Sequence, residues 1–405
     1  MLKIFYSTAM SVSSNDSFSP SAGKPDLLML DLMKTRKDFE IVDITPLERS
    51  DLYLVHDKKY VDDVLDLNIS NGFSNRSPDV AHALPYVCGS MVQASLDSFQ
   101  NKSITLSPTS GAHHAGYNFG GGYCTFNFLA LAALLVHKQG AKKVGIIDLD
   151  CHHGNGTVDI IKKLNFDFIK HYSYGQDPMA KTDKDAWLKK LKSIVQGFLD
   201  CDFVIYNAGV DSHITDPLGG YLTTADIKLR DEIVLNILRE KNIPITISLA
   251  GGYQKDKKTG SIQKVIDLHK IMIDIACDLL NPPIVYGHSY RFVNLINWSH
   301  ELNQSVINFH ANYGVFPNIM LANEYTLSRL DFVANTNQEK IKGGDDQSSP
   351  SEFVALSGFK GDGYDLCWCI DNNLADFEYD LIFDSNPGDG IPVSDAEKVK
   401  KAKTA

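Results

Sequence analysis

The chain has 405 residues, a formal net charge of −11 and an apolar share of 43%. That length supports one large domain plus a smaller one around a sizeable core. The acidic balance argues against direct nucleic-acid binding and favours cationic partners, and no apolar run reaches membrane-span length. Seven cysteines, an odd number in a long chain, suggest reduced thiols. The chain begins as a strand and not as a signal peptide, so a cytoplasmic location is expected, with secretion by a route lacking a cleaved signal left open.

Residues 2–6 read as a short apolar strand. The Ser-rich stretch 7–24 reads as a loop, either a plain surface connection or a site's rim. A buried helix is expected over 25–34, a strand over 39–44 and a short helix after His56. Residues 71–85 read as a loop, 86–99 as a helix and 103–106 as a strand. Gly111-Ala112-His113-His114-Ala115-Gly116 follows that strand, and the glycine-rich run Phe119 to Asn127 comes next. A helix is expected over 129–138 and a strand over 144–147. Further strands are expected over 166–171, 203–210 and 244–249, and helices over 183–198, 224–241 and 261–280. This alternation to about residue 280 implies a mostly parallel sheet covered on both faces. The texture changes afterwards. A small α+β extension over 286–405 is expected, with a helix at 290–309, strands within 315–336, a linker at 338–352 and a hairpin over 353–383 turning near Asn372-Asn373. Cys367 and Cys369 read as residues of that hairpin, and the Lys-rich end as a solvated tail.

The stretch with most chemistry is Asp148-Leu149-Asp150-Cys151-His152-His153-Gly154-Asn155-Gly156-Thr157. It closes an apolar strand, where open α/β sheets place their ligands. Asp150 and His152 are two apart, so on an extended backbone they face the same way and can begin a metal site. Asp211 is a second carboxylate at a strand end, and Gly251-Gly252 sets Tyr253 on a tight turn. His113 and His114, being adjacent, are expected to point to different sides, each ring oriented by its own acceptor.

Together these motifs resemble the histone deacetylase and acetylpolyamine amidohydrolase family, in its class II-like, bacterial-type form, over roughly residues 1–280. The resemblance implies a three-layer arginase/deacetylase-like α/β fold, with the zinc-dependent domain over 1–285. It implies one zinc ion per chain held by Asp150, His152 and Asp211. His113 and His114 become the tandem histidines, partnered by Asp148 and Asn155, and Tyr253 the donor to the carbonyl oxygen. Gly122 and Tyr123 match a tunnel-lining pair. A potassium ion beside Asp148, Asp150, His152 and His171 is a further expectation. The reaction implied is hydrolysis of the acetyl group from N-ε-acetyl-lysine in proteins, histone-like ones included, with acetylpolyamine as the alternative substrate. A catalytically weak acyl-lysine binding module is a third reading.

Departures from the family pattern are also visible. After Ser173 the chain has only the short run Tyr174 to Lys181, where the family carries a long loop with a second tunnel aromatic. That shortening suggests room for a bulky peptide. The early Gly-His-Pro-Glu-Arg pattern survives only as Gly23-Lys24-Pro25-Asp26, and Asn75 lies in about the loop where a rim aspartate belongs. An arginase-type ureohydrolase would share the fold but needs a two-metal ligand set, which His152-His153-Gly154-Asn155 and Tyr253 argue against.

Overall fold

The structure is a computed structural model that describes residues 1–13, 17–280, 354–360, 364–370 and 381–384. The chain divides into two compact units, Met1–Pro282 and Pro283–Ala405. The first unit runs β1 (Leu2–Phe5), α1 (Lys24–Thr35), β2 (Phe39–Val42), α2 (Arg49–Leu52), α3 (Lys58–Leu65), α4 (Pro78–Asn101) and β3 (Ile104–Ser107). It continues with α5 (Phe128–Lys138), β4 (Val144–Asp148), α6 (Asn155–Leu164), β5 (Ile169–Ser173), α7 (Lys184–Gln196) and β6 (Phe203–Gly209). It closes with α8 (Thr224–Glu240), β7 (Ile245–Ala250) and α9 (Gln263–Leu280).

The seven strands form one sheet in the order β2-β1-β3-β7-β6-β4-β5, every neighbouring pair parallel. The apolar strand runs follow from this, because both faces are covered. Ile147 and Val204 pack on one side with Leu28, Trp187, Val234 and Val265 of α1, α7, α8 and α9. Their neighbours Ile146 and Ile205 pack on the other side with Val61, Val80, Leu129 and Ile160 of α3 to α6. The period-two alternation thus feeds two separate cores, which makes three layers.

Two boundaries differ from expectation for local reasons. The stretch 71–85 is not all loop, because α4 begins at Pro78. Ser77 caps it, accepting from the Val80 amide at 3.3 Å, and Pro78 suits a first helical turn whose N–H would be unpaired anyway. Pro85 therefore lies inside the helix, its carbonyl accepting from Leu47 N at 3.1 Å. The strand expected from residue 166 begins at Ile169. Asn165 is left-handed (φ 53°) and Phe166 N donates back to Ile161, so this segment still closes α6.

In the second unit, β8 (Val354–Lys360), β9 (Tyr364–Ile370) and β10 (Leu381–Asp384) form a three-stranded antiparallel sheet in the order β10-β9-β8. The hairpin expected over 353–383 thus contains three strands, β9 pairing with both β8 and β10, and the turn expected near Asn372-Asn373 falls outside the described residues. Cys367 and Cys369 lie on β9. The helix expected at 290–309, the strands within 315–336, the linker at 338–352 and the Lys-rich end fall outside the described residues.

His56, fully buried, ties the first unit's loops together. Its Nδ1 donates to the Gly116 carbonyl at 2.9 Å, and its Nε2 accepts from the Asn127 amide at 2.8 Å. That pairing requires the neutral ring, and burial presses its pKa down to about 4. Between pH 6.5 and 4 the unfolded chain therefore binds the proton that the fold refuses, so stability falls as pH falls. The term is worth on the order of 3 kcal/mol when complete. Thermal melts of His56→Gln should show a smaller loss of stability than the parent over that interval.

Candidate active site

The central strands β3, β7, β6 and β4 are neighbours, and the loop after each carries one part of a single cluster. His113 and His114 follow β3, Tyr253 follows β7, Asp211 follows β6, and Asp150 and His152 follow β4. Parallel strands present all their carboxyl ends on one edge, so four distant segments meet there.

Asp150 and Asp211 are buried and converge on one ring edge. His152 Nδ1 lies 3.0 Å from Asp150 Oδ1 and 2.9 Å from Asp211 Oδ2. Burial raises Asp211, and the negative charge of Asp150 raises it further. Asp150 is held low despite burial, chiefly by the charge of His113 and a hydrogen bond from His152. His152 is pushed far up by its bonds to the two carboxylates. Two buried like charges with an imidazole between them form a site that a cation would satisfy. Ligand atoms of Asp150, Cys151, His152 and Asp211 all lie within 4.8 Å of one another, so the three expected zinc donors fit a metal ion.

The tandem histidines are fixed separately. His113 Nδ1 is 2.7 Å from Asp148 Oδ2, and His114 Nδ1 is 2.6 Å from Asn155 Oδ1. The two rings are not thrown to opposite sides; their centroids are 4.1 Å apart. A tight turn in which Ala115 N bonds back to Ala112 O replaces the extended backbone that different sides would need. Asp148 is itself held by Asn207 Nδ2 at 2.7 Å. Burial opposes charge on His113, but Asp148 and Asp150 outweigh it and lift its pKa to about 9. His114 moves the other way, lowered by burial and then by the charge of His113. One ring is thereby kept cationic and its neighbour neutral, the split that acid–base pairs use.

Tyr253 is buried, and its backbone N–H donates to Asp216 Oδ2 at 2.7 Å. Burial, followed by the charges of Asp150 and Asp211, keeps its phenol protonated and so a donor. Gly251 is left-handed (φ 51°), and a side chain there would overlap the Asp211 carboxyl. Gly122 is also left-handed (φ 53°), lying against the His114 ring, and the Tyr123 ring sits 5.6 Å from that of Tyr253. Asp216, which bonds the Tyr253 and Leu218 amides, went unassigned in the sequence. So did Lys24, a buried lysine whose ammonium bonds Ser110 and the Gly251 carbonyl, its pKa pressed to about 8 by burial.

His171 lies within β5, level with Ile146, whereas Ser173 is level with Asp148 and accepts from Gly154 N at 3.0 Å. Burial presses the His171 pKa to about 4, and its Nε2 has no partner among the described residues. Asn75 accepts from Ser77 N at 3.1 Å and from Asn71 Nδ2 at 2.7 Å.

The fold is shared with known structures. Acetylpolyamine aminohydrolase from Burkholderia pseudomallei superposes with a TM-score of 0.55 at 15% identity, over 69% of this chain and 99% of that one. The histone deacetylase domain model matches residues 25–176 and 169–268, and the chain belongs to that family. Histone deacetylase 2 of Arabidopsis thaliana is 33% identical over 42% of this chain and 49% of its own length. Acetylpolyamine amidohydrolase of Mycoplana ramosa is 28% identical over 35% of this chain and 49% of its own. The chain thus spans about half the length of these two relatives.

The close approach at Gly251 is testable. Gly251→Ala should lower the melting temperature and cut turnover at least about tenfold, because a left-handed alanine is strained and its methyl displaces Asp211. Gly121→Ala, where a side chain meets nothing within 4 Å, should change neither.

Proposed function

We propose that the chain is a zinc-dependent deacylase that cleaves the acetamide of N-ε-acetyl-lysine in proteins. The convergence of Asp150, His152 and Asp211 beside the His113–His114 pair and Tyr253 carries this reading. Acetylpolyamine is the alternative substrate, favoured by the likeness to the Mycoplana enzyme.

Asp150, His152 and Asp211 would hold the metal. When bound, zinc supplies polarisation of the amide carbonyl and a lowered pKa for water. The chain's own groups do the rest. His114, neutral and aligned by Asn155, accepts a proton from the attacking water and returns it to the leaving amine nitrogen. His113, paired with Asp148, keeps positive charge next to the reacting centre. Tyr253 donates its phenolic proton in a hydrogen bond to the carbonyl oxygen as charge builds there.

Removing one such donor costs on the order of 3 kcal/mol, so Tyr253→Phe should reduce kcat at least ~100-fold with little change in metal content. Near-parental kcat would remove Tyr253 from the reaction. Elemental analysis should find one zinc per chain, lost in Asp211→Ala and in His152→Ala. A fluorogenic acetyl-lysine assay should fall to background with chelator and recover with zinc. Two manganese ions per chain, or turnover that survives metal depletion, would contradict the zinc reading.

A further inference from the structure

An aromatic ring from the N-terminal loop lies against this site. Phe18 is half exposed, and its ring stacks on Tyr253 at 6.3 Å between centroids and 20° between planes. The Tyr123 ring lies 5.6 Å from that of Tyr253, and Phe73 lies 6.0 Å from Tyr123. The four rings form a series ending outward at Phe18. The aromatic after β5 is turned away from it. Tyr174 is fully buried, 4.5 Å from Trp187, with its hydroxyl on the Ala180 carbonyl.

Phe18 is clamped by a cation. Lys255 Nζ donates to the Phe18 carbonyl at 2.6 Å and stands 5.5 Å from the centre of its ring. Lys255 also lines a groove of about 650 Å³ beside Gln254, with Lys257, Lys258 and Lys264. Among the described residues Asp256 is the one carboxylate lining it, and it accepts from Lys258 N, Thr259 N and the Thr259 hydroxyl. On a chain of charge −11, this groove, joined to Phe18 through Lys255, is a local reversal of sign.

We propose that Phe18 and Lys255 select the substrate by its distal part. The alkyl stem of the acylated amine packs on the Phe18 ring. The lysine-lined groove receives a neutral or acidic peptide flank and repels a polycationic tail. The proposal rests on the deacylase reading and assigns its substrate class: acyl-lysine in an acidic setting rather than acylated polyamine. The attraction acts over about a Debye length, so it weakens with salt.

The test compares an acetyl-lysine peptide with Asp/Glu flanks, the same peptide with Lys flanks, and acetylspermidine, on the full-length zinc-loaded protein. The parent should turn over the acidic peptide with the highest kcat/KM, by a margin that shrinks at high salt. Lys255→Glu should shift the ratio toward the two cationic substrates by about threefold to fivefold. Phe18→Ala should raise KM for all three about fivefold at unchanged kcat, and Phe18→Tyr should restore it. A parent that prefers acetylspermidine, an unmoved ratio in Lys255→Glu, or a KM unchanged in Phe18→Ala would overturn the proposal. Calorimetric binding of the same three compounds separates the two readings. Binding shifts without turnover would sink the deacylase reading and keep the Phe18–Lys255 assignment; turnover without shifts would do the reverse.

Discussion

Two buried carboxylates brought to one imidazole edge set the terms for the rest of the first unit. Asp150 and Asp211 repel each other, and burial removes the water that would screen them. Such a pair persists only where the surrounding chain holds it. Cys151 N donates to Asp211 at 3.0 Å and His152 N to Asp150 at 2.9 Å. On the far side, the fully buried Arg230 bonds the Gly209 carbonyl and reaches the Ser212 hydroxyl at 3.2 Å, bracing both flanks of Asp211. Glycine at 251 lets β7 pass close enough to complete the wall.

The same field acts on the neighbouring titratable groups. Asp148 and Asp150 make His113 cationic, and His113 in turn depresses His114. The phenol of Tyr253 is kept protonated by burial and then by the charges of Asp150 and Asp211. Opposite pKa shifts are therefore distributed over adjacent residues by position alone, with no difference in side-chain type between the two histidines.

The fold was legible in the sequence wherever one residue's neighbours decide its state. Val144 to Asp148 reads as a strand because it is buried on both faces. The cluster after it reads as a ligand stretch because Asp150 and His152 share a face. Legibility ended where a partner lies far along the chain. Phe18 and Lys255 are 237 residues apart, and nothing local distinguishes Phe18 from any exposed loop aromatic. Asp216 and His56 are likewise defined by amides that only the folded chain brings near. The start of α4 was hidden for another reason: Pro85 looks like a terminator, yet a helix capped by Ser77 continues through it. In the second unit, three strands where a hairpin was expected show how weakly alternation alone fixes the number of strands.

Each strand that feeds the site pairs with a partner remote in sequence: β3 with β7, β7 with β6, β6 with β4. No fragment ending before β7 can contain the assembled cluster, because Tyr253 follows that strand, whereas Asp150, His152 and Asp211 all follow the directly paired strands β4 and β6. A chain growing from its N-terminus exposes His113, Asp150 and Asp211 long before Tyr253 arrives to close them in. The two carboxylates and their imidazole are thus set by the β4–β6 pair, and the phenol joins them only when β7 takes its place beside β6.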